Sequence, residues 1–424
     1  MQSQIISLAE ARELDATDPL SKFRERFIFP QHHGEDALYF TGNSLGLQPK
    51  SALNALQTEL EDWADHGVEG HFRARNPWMH YHELFSDHLA SIVGAKPSEV
   101  VAMNALTVNL HILLISFYNP KASRKKIICE KKAFPSDRYA LISQIEFHGG
   151  DPATDLIEIT PRNGENLIDL DDVLIAIEDA GEELATVMMG GVNYYTGQLH
   201  NLEAITKAAH NVGAMCGFDL AHAAGNVPLK LHDLDIDFAC WCTYKYLNSG
   251  PGSVGGIFIH EKHHNGELPR LEGWWGHDKE TRFKMEPEYI SMGTAESWQM
   301  SNAPVFNMAI HKASLEIFVE AGGMEVLRER SLRLTNYLER TIEKVAASTA
   351  KNLEILTPKN QNERGCQLSI VAHGQGRELF DKLSSNGVIV DWREPAVIRM
   401  APVPLYNSFE DIAKFGLILH DALN

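Results

Sequence analysis

An acid and an amine, Asp219 and Lys245, each close a short apolar run, and they are the two side chains of this sequence best suited to chemistry. A lysine amine can hold an aldehyde cofactor as a Schiff base. A carboxylate across such a cofactor can keep a pyridine nitrogen protonated, so that the ring withdraws electrons. Because pyridoxal-phosphate enzymes need such a pair, Asp219 and Lys245 predict carbanion chemistry on an amino acid.

The neighbours of this pair support the same interpretation. Asp219 follows a strand pattern directly, and ligand-binding groups of open α/β sheets gather at such strand ends, although a helix-capping aspartate is the simpler alternative. His222 could lie beside a bound ring, or it could be a polar loop residue. Lys245 stands between Tyr244 and Tyr246, whose rings would shield the amine from water, whereas most lysines are solvated surface charges.

Two further segments could hold a flat ligand that carries a phosphate. Residues 104–107 precede a helical run, so Thr107 and nearby backbone N–H groups could bind a phosphate, although an ordinary helix cap explains them almost as well. Phe134 begins the segment 134–137 at the start of another predicted helix. Its ring could stack on a cofactor, or it could belong to the core.

Other motifs carry weaker signals. Arg399, late in the sequence, could bind a substrate α-carboxylate through its guanidinium or form a surface ion pair. Residues 250–255 match GxGxxG, but they precede a strand pattern instead of opening a helix, so they predict a tight glycine turn and not a dinucleotide site. The 20 histidines occur without HExxH or CxxC spacing, so no metal site is predicted.

The elements that must position these residues predict an α/β fold. Between residues 95 and 300 short apolar runs alternate with longer amphipathic stretches, which indicates a mainly parallel sheet covered on both faces. From residue 306 onward, long helical patterns lead into alternating segments typical of a smaller α+β domain. The predicted strands are 126–129, 186–189, 214–218, 238–241 and 256–259. The predicted domains are an N-terminal arm (1–50), a large domain (51–305) and a small C-terminal domain (306–424).

Composition restricts the class of partner. A net charge of −19 and a pI near 5.5 argue against sequence-independent binding of nucleic acid. The most apolar helical candidate, residues 108–118, is shorter than the roughly 20 residues that a bilayer requires, so no membrane partner is predicted. Five widely spaced cysteines suit reduced thiols in a cytoplasmic protein better than a disulfide framework.

Six segments together resemble kynureninase, a hydrolase that uses pyridoxal 5′-phosphate on the fold-type-I, aspartate-aminotransferase-like architecture. The resemblance extends over nearly the whole chain and is carried by residues 39–47, 134–137, 217–222, 238–248, 273–277 and 400–408. A lysine and an aspartate alone suit many enzymes. The Cys-Trp-Cys-x-Tyr-Lys-Tyr-Leu-Asn run with Gly-Trp-Trp-Gly-His is similar to this family in particular.

The resemblance implies a cofactor role for each matching residue. Lys245 would form the Schiff base, Asp219 would bind the ring nitrogen with His222 beside it, and Phe134 would stack on the ring. Leu106, Thr107 and Tyr244 would contact the phosphate, and Trp274 and Asn302 would reach it from the second subunit of a homodimer. The implied contacts are Leu106, Thr107, Phe134, Pro135, Ser136, Asp137, Asp219, His222, Tyr244, Lys245, Trp274 and Asn302.

The resemblance also implies a reaction, the hydrolysis of L-kynurenine or 3-hydroxy-L-kynurenine to L-alanine and anthranilate or 3-hydroxyanthranilate in tryptophan catabolism. It would pass through a quinonoid and a retro-Claisen cleavage, with Lys245 moving the α-proton. Tyr244 would transfer protons at the carbonyl or serve the phosphate only. Arg399 would bind the substrate carboxylate. His71 and Asn302 would favour the 3-hydroxy substrate, because both can hydrogen-bond a phenol.

Two points qualify the resemblance. At Gly190 the family commonly has a serine that contacts the cofactor, so the sequence predicts that this contact is missing. A cysteine desulfurase would use the same cofactor with a cysteine on a mobile loop. The late cysteine of this chain, Cys366, opens an alternating strand pattern that would hold it rigid, which disfavours that alternative.

Overall fold

The apolar runs of the sequence become strands and the amphipathic stretches become helices. The computed structural model describes residues 6–266 and 268–424, so the first five residues of the predicted N-terminal arm lie outside the described residues. The helices are α1 (Leu8–Ala16), α2 (Ala52–His66), α3 (Gly70–Arg73), α4 (Ser86–Val93), α5 (Leu106–Phe117), α6 (Pro135–Phe147), α7 (Pro152–Asp155), α8 (Leu170–Ala180), α9 (Leu202–Asn211), α10 (Val305–Glu320), α11 (Gly323–Thr349), α12 (Gly376–Ser385) and α13 (Phe409–Leu423).

The strands fall into one large sheet, one smaller sheet and three short pairs. They are β1 (Phe27–Ile28), β2 (Gln31–His32), β3 (Glu35–Asp36), β4 (Leu38–Tyr39), β5 (Gln48–Pro49), β6 (Val100–Met103), β7 (Lys126–Glu130), β8 (Leu156–Ile159), β9 (Leu184–Gly190), β10 (Met215–Asp219), β11 (Phe238–Cys242), β12 (Gly255–Ile259), β13 (Leu353–Ile355), β14 (Leu368–Ala372), β15 (Val388–Ile389), β16 (Asp391–Arg393) and β17 (Val397–Met400). All five predicted strands of the large domain are present, displaced by two residues at most.

The large sheet has seven strands in the order β6-β12-β11-β10-β9-β7-β8. Strand β12 is antiparallel to both its neighbours, and the other neighbouring strands are parallel. Side chains of β11 alternate between two cores: Ala239 and Trp241 pack on one face, and Phe238 and Cys240 pack on the other. This alternation follows from the two-residue period of a strand, and it confirms the predicted mainly parallel sheet that is buried on both faces.

The C-terminal part has its own core on a second sheet. Strands β13, β14, β17 and β16 form an antiparallel sheet in that order, and helices α11, α12 and α13 contribute to the same core. Helix α11 joins both cores, since Leu327 packs with the large core and Leu334 with the small one. Helix α10 packs on α2 and belongs to the large core. This packing favours a domain boundary inside α11, whereas the predicted boundary at 306 stays a prediction.

The N-terminal residues connect both parts of the molecule instead of lying over the larger part alone. Helix α1 packs on α13, and β4 pairs in parallel with β15 of the C-terminal part. Phe23 and Phe27 are buried in the large core. Of the helices within 6–266 and 268–424, none is long and apolar enough to cross a membrane.

Candidate active site

Three neighbouring strands of the large sheet end in a polar group or a glycine at one edge. Glu130, Gly190 and Asp219 are the last residues of β7, β9 and β10, and Gly190 lies opposite Asp219 in the register. Carboxyl ends of parallel strands are where open α/β sheets bind ligands. A cavity of about 190 Å³ opens there. Its lining comprises Ala105, Leu106, Thr107, Val108, Glu130, Phe134, Ser136, Asp137, Gly190, Val192, Tyr194, Asp219, Ala221, His222, Tyr244 and Lys245.

Lys245 points into this cavity and contacts His222. The Lys245 Nζ lies 2.9 Å from the His222 Nε2, and both residues are buried. Burial, with the positive charges of Lys245, Arg399 and Arg393, holds the pKa of His222 well below its usual value. A neutral imidazole can accept a hydrogen bond from the lysine ammonium at Nε2 and then carries its proton on Nδ1, which has no partner among the described residues.

Asp219 is paired with a second acid, Asp137 of α6. Asp219 Oδ1 accepts a 2.6 Å hydrogen bond from the Ala221 N–H, and the Asp137 side chain is hydrogen-bonded to Asp219. Burial raises the pKa of both carboxyls, and repulsion by Asp219 raises that of Asp137 further. The shared hydrogen bond and Lys245 oppose the rise at Asp219. Because Asp219 also accepts the Ala221 N–H and interacts with the Lys245 charge, it is the better placed of the two acids to carry the negative charge, and Asp137 is the better placed to carry a proton.

Glu130 is a third acid in the lining, and the sequence analysis did not identify it. Its Oε2 accepts a 3.0 Å hydrogen bond from the Gly190 N–H. A Cβ added at Gly190 would lie 2.9 Å from Oε1, so the glutamate fills the space that a side chain at this position would need. Burial, with repulsion by Asp219, raises the pKa of Glu130 to about 7. The available signal was a charged residue at the end of a predicted strand.

The start of helix α5 borders the cavity with free backbone donors. Its N-cap is Ala105, and no side chain caps the helix. The first N–H groups of a helix have no partner within it, and the helix dipole favours an anion at this end. Gly255 lets the start of β12 lie close to the start of helix α5, because an added Cβ on Gly255 would lie 3.3 Å from the Leu106 nitrogen. Leu106 and Thr107 therefore lie at a helix start with the donors that an anion needs, and their phosphate contact stays a prediction.

Aromatic rings border the cavity beside the lysine. Phe134 remains 41% exposed, its ring centroid is 5.8 Å from Lys245 Nζ, and it packs edge-on against Tyr194 at 5.3 Å. The ring of Tyr244 lies 5.9 Å from the same Nζ. Burial, with the nearby Cys242, raises the pKa of Tyr244, so its phenol is a proton donor and not a phenolate. An exposed aromatic face at such a place suits a flat ligand.

Comparisons with known proteins agree over the whole length of the chain. A family profile for the kynureninase C-terminal domain matches residues 327–419. A kynureninase of Flavobacterium psychrophilum is 55% identical over 97% of this chain and 97% of its own. A kynureninase of Myxococcus xanthus is 52% identical over 96% of this chain and 95% of its own. The chain belongs to the kynureninase family.

Solved structures similar to this member of the kynureninase family have much lower sequence identity. The cysteine desulfurase CsdA of Escherichia coli has a TM-score of 0.78 at 16% identity and covers 96% of this chain and 99% of its own. A complex of the cystine C–S lyase C-DES with cysteine persulfide has a TM-score of 0.77 at 18% identity, with 91% and 97% covered. These likenesses concern the fold, and they confirm the predicted fold-type-I architecture.

A desulfurase-like cysteine nucleophile does not match this member of the kynureninase family. All five cysteines are buried and unpaired. Cys366 lies two residues before β14, and its N–H donates to the Asn226 side chain. Burial raises the pKa of the Cys366 thiol to about 12. Since the thiolate is the reactive form, this cysteine is an inert core residue.

Five residues implied by the kynureninase resemblance lie away from the lining of the lysine cavity. Trp274 and His71 line another cavity together with Asn302. Arg399 is buried on β17, where its guanidinium donates to the Tyr194 carbonyl and to Asp391, both at 2.5 Å. Pro135 borders a different, neighbouring cavity. Their assigned roles stay predictions.

The kynureninase-like segment at residues 39–47 packs directly behind the lysine. The Gly46 N–H donates to the Tyr244 carbonyl at 2.8 Å. An added Cβ on Gly46 would collide with the Lys245 carbonyl and the Asn248 side chain, so only glycine permits this approach. The glycine turn predicted at 250–255 is present, with Gly250 and Gly252 at φ 85° and 68° before β12.

Proposed function

We propose that this chain hydrolyses L-kynurenine or 3-hydroxy-L-kynurenine to L-alanine and anthranilate or 3-hydroxyanthranilate, with pyridoxal 5′-phosphate as cofactor. The observation that carries the proposal is the single cavity in which Lys245, Asp219 and an uncapped helix start converge. Full-length relatives named kynureninase support it. The cysteine-dependent alternative is disfavoured by the buried thiols.

The residues of the cavity fit pyridoxal 5′-phosphate. The N–H groups at Leu106 and Thr107 would hold the phosphate, Phe134 would cover one ring face, and Asp219 would pair with the ring nitrogen. Pro135, Ser136 and Asp137 would order the segment on which Phe134 stands. When bound through Lys245, the cofactor supplies an electron-withdrawing ring that stabilises negative charge at the substrate α-carbon.

The side chains of the chain would move the protons. Lys245 would take the substrate α-proton, and neutral His222 would hold the amine in place through the contact at 2.9 Å. Tyr244 is protonated and half-buried beside the amine, so it would donate a proton at the substrate carbonyl. Water would add to that carbonyl, and the bond between the carbonyl carbon and the β-carbon would then break, giving the aryl acid, while the β-carbon keeps the electron pair and takes up a proton to become the methyl group of alanine. The second assignment for Tyr244 is that it binds only the cofactor phosphate and transfers no proton.

Arg399 is proposed to bind the substrate carboxylate. Its Nη atoms are engaged by the Tyr194 carbonyl and Asp391, and its buried Nε has no hydrogen-bond partner among the described residues. Its positive charge contributes to the low pKa of His222, which places it within electrostatic reach of the cavity. An anionic substrate group would relieve the burial cost of this guanidinium.

We propose that two copies of the chain form a homodimer, with Trp274 and Asn302 completing the partner's site. An apolar face supports this, because Val68, Phe72 and Phe283 are between 55% and 76% exposed and line a cavity together with Trp274, His71 and Asn302. Apolar patches of this kind mark interfaces. Arg282 holds the nearby Trp274 loop, since it donates to the carbonyls of Trp275 and His277.

Subunit mixing tests the shared site. Lys245→Ala and Trp274→Ala subunits would each be inactive as homodimers, and reassociated mixtures would recover about a quarter of the native activity, because half of the random dimers carry one intact site. Native subunits mixed with Lys245→Ala should keep half of the native activity with or without exchange, so this mixture controls for losses during reassociation, and mass spectrometry of the intact dimers reports exchange. Exchange without recovery would show that Trp274 serves its own subunit.

Turnover tests the proposed reaction. Purified protein with pyridoxal 5′-phosphate and each substrate should release alanine together with the fluorescent anthranilate. Lys245→Ala should lose both products and the visible absorbance of the bound cofactor. Products from Lys245→Ala would overturn the proposal.

His71 and Asn302 line one cavity, which supports the proposed preference for the 3-hydroxy substrate. The kcat/KM for 3-hydroxy-L-kynurenine should therefore exceed that for L-kynurenine. Five reduced cysteines suit a proposed cytoplasmic location.

A further inference from the structure

The cavity holds more acid than one pyridine nitrogen needs. Asp219 interacts with the Lys245 charge and accepts the Ala221 N–H, and Asp137 is hydrogen-bonded to it. Glu130 ends β7, two strands from Asp219 in the sheet, and is 4% exposed. Three buried carboxyls this close cannot all be ionised, because each additional charge repels the others in a medium of low polarity.

Glu130 is held so that only one of its oxygens is used. Its Oε2 accepts the Gly190 N–H at 3.0 Å, which ties the ends of β7 and β9 together. Its Oε1 faces the space beside the Gly190 Cα, where a side chain would otherwise stand. Gly190 and Glu130 both line the cavity. The glycine thus leaves room for the free oxygen of the acid to face a ligand.

We propose that Glu130 is a positioning residue for the ring nitrogen: when the cationic ring is bound, the Glu130 carboxyl ionises and supplies a second negative charge behind Asp219. The inference rests on the proposed function, because it requires a pyridine ring in this cavity. A bound ring nitrogen brings one positive charge. Asp137 is already hydrogen-bonded to Asp219, whereas Glu130 uses only Oε2 in a hydrogen bond among the described residues.

The surroundings of Glu130 determine how it titrates. The groups that face it are Asp219 on β10, Asp137 on α6 and Tyr194 after β9, and Gly190 on β9 contributes only its N–H. Burial and Asp219 raise the pKa of Glu130 to about 7, so its charge changes near neutral pH in the protein without cofactor. A positive ring would lower this pKa and draw the proton off.

The variant Glu130→Gln separates charge from structure. A glutamine keeps the volume and can still accept the Gly190 N–H through its amide oxygen, but it cannot ionise. The measurement is the dissociation constant of pyridoxal 5′-phosphate from the refolded or cofactor-stripped protein at several pH values. Ionisations of the free cofactor affect both proteins equally, so the ratio of the two constants reports the residue alone.

We expect Glu130→Gln to bind the cofactor as the native protein does near pH 6 and about tenfold more weakly near pH 8.5, since one pKa unit corresponds to a tenfold change. The matched control is Glu158→Gln on β8, the next strand, where the carboxylate pairs with Lys131 and Arg138. It should leave the ratio unchanged at both pH values. A ratio for Glu130→Gln that is independent of pH would overturn the proposal and leave Glu130 a purely structural acceptor.

A second variant covers a failure of Glu130→Gln to fold. In Gly190→Ala the added Cβ, 2.9 Å from Oε1, would displace the carboxyl, and the same weakening at high pH must appear. Loss of affinity that is equal at low and high pH would contradict the proposal here as well. If the native protein does not bind the cofactor at all, the proposed function is refuted. If the native protein binds it and both variants bind it equally well at every pH, only the role of Glu130 is refuted.

Discussion

Asp137 and Asp219, which are hydrogen-bonded to each other, are expected to respond differently to replacement by asparagine: cofactor affinity should fall strongly for Asp219→Asn and change little for Asp137→Asn. Asp219→Asn removes the carboxylate that would pair with a ring nitrogen, and a hydrogen bond between charged groups contributes about 1.5–3 kcal/mol. At about 1.4 kcal/mol per factor of ten, this corresponds to a 10- to 150-fold weaker affinity for pyridoxal 5′-phosphate. Turnover should fall further, because an unprotonated ring withdraws fewer electrons.

Asp137→Asn should be mild by the same reasoning. Since Asp219 accepts the Ala221 N–H, Asp137 is the acid better placed to hold the shared proton and to act as a neutral donor to Asp219. An asparagine amide supplies the same donor without a charge. We expect its cofactor affinity to stay within about threefold of the native value. Equilibrium titration of the visible cofactor absorbance measures both variants. Equal losses in the two would refute the assignment of the proton to Asp137.

Three further predictions concern the surroundings of the site. Gly46→Ala should cost about 1–3 kcal/mol by overpacking against the lysine loop, lowering the melting temperature and the cofactor affinity, while Gly266→Ala, whose added Cβ lies 3.5 Å from its nearest neighbour, should be neutral. Arg399→Lys should raise KM about 10- to 100-fold with a smaller change in kcat, because the guanidinium fork is lost; an unchanged KM would remove Arg399 from the substrate site. Burial lowers the pKa of His311 to about 3, so on acidification the unfolded chain takes up this proton before the native protein does, and native stability falls as the pH drops below 6.5. His311→Gln should therefore show a smaller decline in melting temperature between pH 6.5 and 3. Equal declines in the native protein and the variant would contradict this.

The predicted part of the site is the part that local sequence determines. Asp219 ends an apolar strand, and Lys245 follows the next one, so their approach requires only that two consecutive strands pair in parallel. The helix after Thr107 and the ring of Phe134 are likewise signalled by residues next to them in sequence. Helix α10 was predicted within a few residues, since its period is local. The packing of α10 on the large core was not predicted, because the period of a helix does not indicate which element it packs against.

Glu130 was missed because its role depends on the order of the sheet. In sequence it is followed by two lysines, a pattern typical of a solvated strand end. Its neighbour in space is Gly190, and strand β8 and helices α6, α7 and α8 lie between them in the chain. Only the order β10-β9-β7 brings the acid beside Asp219. A charged residue that ends a buried parallel strand next to a ligand-binding strand is therefore worth testing even without a motif.

The segment at residues 41–46 shows how distant parts of the chain can still form one site. Thr41 forms a bridge with Ala401, two residues beyond Arg399, and Gly46 donates to the Tyr244 carbonyl, next to Lys245. Five residues of extended chain span at most about 18 Å. The arginine of the small sheet and the lysine of the large one are thus tethered by a short backbone segment that is hydrogen-bonded at both ends. A substitution that loosens either end should therefore disturb carboxylate binding and cofactor binding together, although it contacts neither ligand.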